Sequence, residues 1–160
     1  MKAIVHLHKH VHKIPGKLGS MDCCHTVWKN CPMAWQGSFK GKEKVPTIVM
    51  EALSDYHTWF WYATYEYAGT LNDINIIDLS PFMDDRCNDR LENIEQQSEV
   101  VPYKIGNKSI EKCFMLVDGI YPEYGRFAKG YKQPITENEK NYTKWQEGAP
   151  KEIERAFAVL

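Results

Sequence analysis

Residues 114–122, which read FMLVDGIYP, contain the segment that decides the fold of this chain. The apolar run from Cys113 to Val117 has the length of a buried strand, because a strand covered on both faces is almost continuously hydrophobic. Asp118 ends the run with a carboxylate, and Gly119 allows the backbone a sharp exit. We therefore predict a central strand that places Asp118 at the edge of a sheet.

Two further acidic blocks accompany this strand. Residues 19–25, GSMDCCH, close a second strand-like run with Asp22, and residues 151–157, KEIERAF, belong to an amphipathic helix that carries Glu154. The spacing i, i+3, i+4, i+7 predicts a buried stripe formed by Ile153, Ala156, Phe157 and Leu160. Glu154 lies at the border of this stripe, whereas Glu152 lies about 200° away from Glu154. We expect Glu152 to be solvated near the positive end of the helix dipole.

The three carboxylates have two interpretations. An aspartate at the end of a strand is usually a turn former or a helix cap. Two such aspartates and a helical glutamate also match the oxygen ligands that Mg²⁺ prefers, with coordination positions left open for water. The residues alone leave both interpretations open.

Composition limits the class of protein. The chain has 160 residues, 43% of them hydrophobic and 26% charged, which is the ordinary balance of one globular domain. We see no apolar run of the ~20 residues that a membrane span needs and no signal-peptide pattern. The five cysteines form an odd, scattered set, which indicates a reducing compartment. We expect a soluble intracellular protein with no membrane association.

Charge is distributed unevenly along the chain. Residues 1–44 hold eight lysines and two acidic residues, whereas acidic residues are in excess over the remainder. Lysine drives non-specific affinity for nucleic acid, so this segment could contact phosphates near Asp22. A solvated basic face is the alternative.

Local patterns predict an alternation of strands and helices. Strands are expected from Leu18 to about Cys24, over 45–53 and 58–65 as a hairpin, on both sides of Gly106-Asn107, and over 113–117. A loop is expected over 28–41, and helices over 70–78, 81–91, 123–129, 136–146 and 150–160. Together these elements predict a mixed α/β domain.

Several other residues have the chemistry of a site but also a simpler interpretation. His6, His8, His10 and His12 would share one face of an extended strand and could bind zinc, or they could belong to a ragged terminus. Cys23, Cys24, Cys31 and His25 have zinc-ligand types at an unusually tight spacing. We interpret Trp28 and Trp35 as core residues and Asn72 or Asp73 as a helix cap.

Four blocks of the chain resemble PIF/Harbinger-type DDE transposases, the plant transposon protein family. They are residues 19–37 (GSMDCCHTVWKNCPMAWQG), 72–77 (NDINII), 118–123 (DGIYPE) and 153–160 (IERAFAVL). The blocks occur in the order of the family and span nearly the whole chain. Cys24 and Thr26 replace a usual Met and Trp, and Ala158 replaces a usual Gly, but every carboxylate is retained.

The resemblance implies an RNase H-like mixed sheet flanked by helices and a two-metal nuclease. Asp22, Asp118 and Glu154 would be catalytic and would hold Mg²⁺ or Mn²⁺. His25, Lys29, Lys40, Lys42 and Lys44 would contact DNA. The implied activity is hydrolysis of phosphodiesters at transposon ends followed by joining of the 3′-hydroxyl to target DNA, in the nucleus. The alternative is a domesticated or truncated relative that binds DNA or protein without cutting.

The resemblance also implies partners and a domain division. Relatives commonly need a separate DNA-binding helper protein, and a homo-oligomer on DNA is conceivable. We divide the chain into a basic His/Lys-rich segment, 1–17, and a nuclease domain, 18–160. We expect this domain to be truncated after the glutamate helix, so that the helix end frays and strand transfer is absent.

Overall fold

The computed structural model describes residues 2–83, 103–105, 108–110, 112–148 and 151–160. Its strands are β1 (Lys17–Val27), β2 (Thr47–Ser54), β3 (Phe60–Ala68), β4 (Tyr103–Ile105), β5 (Lys108–Ile110), β6 (Phe114–Leu116) and β7 (Phe127–Ala128). Its helices are α1 (Lys2–His10), α2 (Met33–Phe39), α3 (Asp73–Leu79), α4 (Glu137–Gly148) and α5 (Lys151–Ala158). Among the described residues, no helix is long and apolar enough to cross a membrane.

A five-stranded mixed sheet organises these elements in the order β3-β2-β1-β6-β7. The first three strands form an antiparallel meander, and β6 and β7 add to the other side of β1 in parallel. β4 and β5 form a separate antiparallel pair. The prediction of a mixed α/β fold with flanking helices is confirmed, as are the hairpin of β2 and β3 and the strand that precedes Asp118.

The main hydrophobic core joins the middle of the sheet to the helices. Its buried members are Val5, Leu18, Met21, Leu53, Ile77, Phe82, Cys113, Met115, Val117 and Tyr121. Because residues two apart share a face of a strand, Met115 and Val117 of the β6 segment contribute together to this core. Val5 brings α1 into the same core, so the N-terminal segment packs on the sheet as an ordered helix.

Three predictions of local structure were wrong. The histidine run forms α1 instead of an extended strand or a ragged terminus, because Val5 and His8 lie one turn apart and are both buried. The segment predicted as the loop 28–41 contains α2. The helix predicted over 123–129 is replaced by β7, which pairs in parallel with β6. Two further predictions, the helix over 81–91 and the turn at Gly106-Asn107, lie largely outside the described residues.

The last helix, α5, follows its predicted stripe only in part. Ile153 and Ala156 are buried, and the ring of Phe157 stacks on Phe60 with centroids 5.9 Å apart. Leu160 instead remains 79% exposed, because it lies beyond the end of the helix. The helix therefore packs on the sheet mainly through its first two turns.

Candidate active site

The predicted Asp22 lies within β1, and the predicted Asp118 lies two residues beyond the end of β6, which pairs in parallel with β1. Ser20 of β1 pairs with Leu116 of β6, and Asp22 and Asp118 each follow two residues later. The two carboxylates are near enough for their charges to interact, because the negative charge of Asp118 contributes to the raised pKa of Asp22. The parallel pairing thus brings together two acids that are distant in the sequence.

The carboxylate of Asp22 is half-buried and lies near two other negative charges. Burial raises the pKa of Asp22 to about 6, and the negative charges of Asp73 and Asp118 contribute to this rise. The backbone N–H of Cys23 and the hydroxyl of Tyr121 oppose the rise by hydrogen bonding to the carboxylate. Tyr121 donates to Asp22 Oδ1 at 3.4 Å. A group with these properties gains from a cation placed beside it.

Asp118 is exposed, whereas Asp22 is half-buried. Its Oδ1 accepts a hydrogen bond from the N–H of Gly119 at 2.5 Å, which fixes the side chain against its own backbone. Gly119 does not have a positive φ, and a Cβ added to it would meet nothing within 4 Å. The backbone conformation at this position is therefore one that other residues can also adopt.

Asp73 is a member of the acidic group that sequence reasoning missed. The helix cap is its neighbour Asn72, whose side chain accepts a hydrogen bond from the N–H of Asn75 at 2.8 Å. Asp73 occupies the first turn of α3, and its charge raises the pKa of Asp22 more than that of Asp118 does. Its position directly after a strong N-cap residue was a signal that Asp73 itself was free for another role.

The two glutamates of α5 differ in exposure. Glu154 is exposed. Glu152 accepts a hydrogen bond from the buried ammonium of Lys17 at 2.6 Å and another from the Ser20 hydroxyl at 3.2 Å. The expectation that Glu152 is solvated was wrong, because the buried Lys17 requires a counter-charge.

These positions determine how well a metal fits. Among the residues described, no three His, Cys, Asp or Glu side chains gather closely enough to hold a metal ion. Asp22 and Asp118 supply the carboxylate oxygens that Mg²⁺ and Mn²⁺ prefer, and their mutual repulsion is what a cation would relieve. The donor pair fits a hard divalent cation, but Glu154 does not complete a group of three ligands with it among the described residues.

Among the predicted DNA-contacting residues, His25 lies on β1 and Lys29 follows the end of this strand, whereas the other three lie between α2 and β2. His25 contacts Thr47 through Nδ1 at 3.1 Å, and its buried Nε2 has no partner among the described residues. Burial and the charge of Lys42 lower the pKa of His25, which favours neutral imidazole. The side chains of Lys29, Lys40, Lys42 and Lys44 are all exposed. A backbone bridge between Lys40 and Pro46 holds the last three of these lysines on one tight turn.

An aromatic cluster of Trp28, Trp35 and Phe39 accompanies these lysines. Trp28 lies edge-on to both Trp35 and Phe39, at centroid distances of 5.8 Å and 5.0 Å. Trp35 is nevertheless 55% exposed, and α2 has no buried residue. The interpretation of Trp35 as a core residue was wrong, because α2 stands off the sheet instead of covering it.

Comparison with known proteins identifies the family of the chain. The family model described as "Plant transposon protein" matches residues 1–160. No curated protein and no solved structure matches the chain. With its whole length matched, the chain belongs to the plant transposon protein family.

Proposed function

We propose that this chain is an RNase H-like DDE nuclease domain of a transposase of the PIF/Harbinger type. Its reaction would be hydrolysis of phosphodiesters at transposon ends and joining of the freed 3′-hydroxyl to target DNA. Membership of the plant transposon protein family supports a transposase-related role. The antiparallel meander with parallel strands added beside β1 is compatible with the proposed fold.

The observation that supports the proposal is the position of two acids that are distant in the sequence: Asp22 lies on β1, and Asp118 follows the end of β6, the strand paired in parallel with β1. The charge of Asp118 raises the pKa of Asp22, so the two carboxylates interact. These two residues would hold Mg²⁺ or Mn²⁺, with Glu154 as the third ligand that the resemblance implies. Bound there, two metal ions would stabilise charge on the attacking and leaving oxygens of the phosphodiester.

The surrounding residues prepare the aspartates for this role. The Tyr121 hydroxyl holds Asp22 Oδ1, and Tyr121 is itself buried and packed edge-on against Phe127 at 6.0 Å. Burial and like charges make the carboxylate of Asp22 costly to ionise unless a cation is present. Asp73 adds negative charge from α3 and thereby strengthens the attraction for that cation.

DNA would approach along the exposed lysines and the aromatic cluster of Trp28, Trp35 and Phe39. Lysine ammonium groups attract phosphates at any sequence, and exposed aromatic rings stack on unpaired bases. Both features occur within the segment from Trp28 to Lys44, next to β1. The resemblance further suggests a separate DNA-binding helper protein, assembly on DNA and a nuclear location.

One observation favours a second candidate function. Because Glu154 is exposed and does not form a three-ligand group with Asp22 and Asp118 among the described residues, the chain could instead be a non-catalytic relative that binds DNA or protein. Such a protein would retain the lysine surface while lacking metal-dependent cleavage.

A plasmid-nicking assay separates the two functions. The parent chain should nick supercoiled DNA in the presence of Mg²⁺ or Mn²⁺, and nicking should stop when EDTA removes the metal. Asp22→Asn and Asp118→Asn should abolish nicking, and Glu154→Gln should reduce it strongly. The matched control is Glu147→Gln, which neutralises an exposed acid on α4 and should leave nicking unchanged. DNA binding without nicking by the parent would establish the non-catalytic alternative.

The DNA surface has its own test. Binding of labelled duplex should be measured across salt concentrations for the parent and for the triple variant Lys40→Gln, Lys42→Gln, Lys44→Gln. For every lysine that no longer neutralises a phosphate, the slope of log affinity against log salt should become shallower by about 0.9. A matched control, Lys132→Gln, removes an exposed charge from the segment between β7 and α4. An unchanged slope in the triple variant would place the DNA elsewhere.

A further inference from the structure

Two histidines at the end of α1 carry ring nitrogens that nothing in the described structure satisfies. His8 and His12 are four residues apart, and the helical turn continues beyond α1 through the hydrogen bond from Val11 N–H to the Leu7 carbonyl at 2.9 Å. The Nε2 atoms of both rings are buried and lack a hydrogen-bond partner within the described residues. Buried nitrogens of this kind are normally paired, so the exception requires an explanation.

The tautomer of His8 follows from its other nitrogen. Nδ1 lies 2.8 Å from the backbone carbonyl of Lys17, which can only accept a hydrogen bond. Nδ1 therefore carries the proton, and Nε2 presents a free lone pair. Metal-binding histidines typically have this arrangement, in which a carbonyl fixes the ring through the N–H. Burial lowers the pKa of His8 to about 4, so the ring stays neutral at physiological pH.

The separation of the rings also suits one shared ion. With metal–nitrogen bonds of ~2.1 Å and a tetrahedral angle, two imidazole centroids would lie roughly 5 Å apart. The centroids of His8 and His12 are 5.5 Å apart, and the rings are tilted by 54°. The exposed pair His6 and His10 is closer, at 4.3 Å, with the rings nearer to parallel.

We propose that His8 and His12 form a site for a transition-metal ion of the Zn²⁺ class, bound through both Nε2 atoms with water completing the coordination. Neutral nitrogen donors select such ions over Mg²⁺, which prefers oxygen. The nearby ammonium of Lys17 does not oppose binding strongly, because Glu152 neutralises it at 2.6 Å. The ion would link the last turns of the α1 segment through His8 and His12, while the hydrogen bond of His8 to the Lys17 carbonyl holds that segment on β1. The site is independent of the acidic pair at Asp22.

The test is a titration of the full chain with Zn²⁺ in reducing buffer. His12→Gln should bind one Zn²⁺ fewer than the parent, or bind it at least tenfold more weakly. Two variants serve as controls and should retain the site: the double variant His6→Ala, His10→Ala, which removes the exposed pair, and Asp22→Asn, which alters the acidic pair. Mg²⁺ at the same concentration should not occupy the site.

A measurement on the unmodified chain guards against misfolding of a variant. Ring-nitrogen NMR should show that Zn²⁺ shifts the Nε2 resonances of His8 and His12 and leaves those of His6 and His10 in place. The proposal is overturned if His12→Gln titrates like the parent, if the exposed-pair variant loses the site, or if Zn²⁺ moves the His6 and His10 signals instead.

Discussion

Replacing Asp22 with Asn should stabilise the protein while it removes the charge proposed to bind metal. Asparagine keeps one oxygen that can accept from Tyr121, replaces the other oxygen with an NH2 donor, and removes the negative charge. The pKa of Asp22 rises from the ordinary value of 3.8 to about 6, chiefly through burial. A raised pKa means that the folded state holds the proton more tightly than the unfolded state does.

The size and pH range of the effect follow from this shift. Below pH 3.8 the group is protonated in both states and contributes nothing. Between pH 3.8 and about 6 the folded state binds more protons, so stability falls as the pH rises. At 1.36 kcal/mol per pH unit the total penalty above that range reaches about 3 kcal/mol. Asp22→Asn should recover most of this penalty at pH 8 and little of it at pH 4.

Urea unfolding of the parent and of Asp22→Asn at pH 4, 6 and 8 measures this difference. With a urea dependence of about 2 kcal/mol per molar, the variant should unfold roughly 1 M later at pH 8. Addition of Mg²⁺ should stabilise the parent and not the variant, because the cation relieves the same charge. If Asp22→Asn is less stable than the parent at pH 8, the charge of Asp22 is already compensated and our reasoning is refuted.

Three further predictions concern stability. Glu152→Ala leaves the buried ammonium of Lys17 unpaired and should cost about 3–5 kcal/mol in urea unfolding, whereas replacing both residues by apolar ones of similar size should recover most of it. A cost below about 1 kcal/mol for Glu152→Ala would mean that Lys17 finds another partner. Asn72→Ala removes the cap that accepts from Asn75 and should cost about 1 kcal/mol, measured by thermal unfolding. Gly119→Ala meets open space without a positive φ, so it should change stability by less than about 0.5 kcal/mol; a larger loss would contradict the backbone geometry.

Sequence patterns predicted the elements whose information is local. The hairpin of β2 and β3 follows from two runs rich in β-branched and aromatic residues with Ser54-Asp55 between them. The strand before Asp118 follows from an uninterrupted apolar run. In contrast, β7 is only two residues long, so Phe127 and Ala128 carry too little local pattern to predict a strand. Their strand conformation depends on parallel pairing with β6.

The environment of individual site residues was harder to predict, because it depends on residues that are distant in the sequence. The helical wheel separated Glu152 from Glu154 correctly by angle, yet it could not reveal that a lysine on β1 would be buried opposite Glu152. Asp73 likewise gains its importance from the position of α3 over β1. The alternation of histidines was compatible with two structures. Residues two apart share one face of a strand, but the same run also contains the pairs His6–His10 and His8–His12, which are four apart and lie on successive turns of a helix.

The parallel pairing of β1 with β6 has a consequence for the order in which the chain folds during synthesis. The hydrogen bond from Tyr121 to Asp22 joins residues 99 positions apart, whereas the meander of β1, β2 and β3 closes through near neighbours. Contacts between distant residues form late, since the entropy of closing a long loop must be overcome first. The meander can therefore assemble while the ribosome is still producing the second half. Asp22 meets Asp118 only after residue 118 has emerged, so a nascent chain cannot present the acidic pair to DNA.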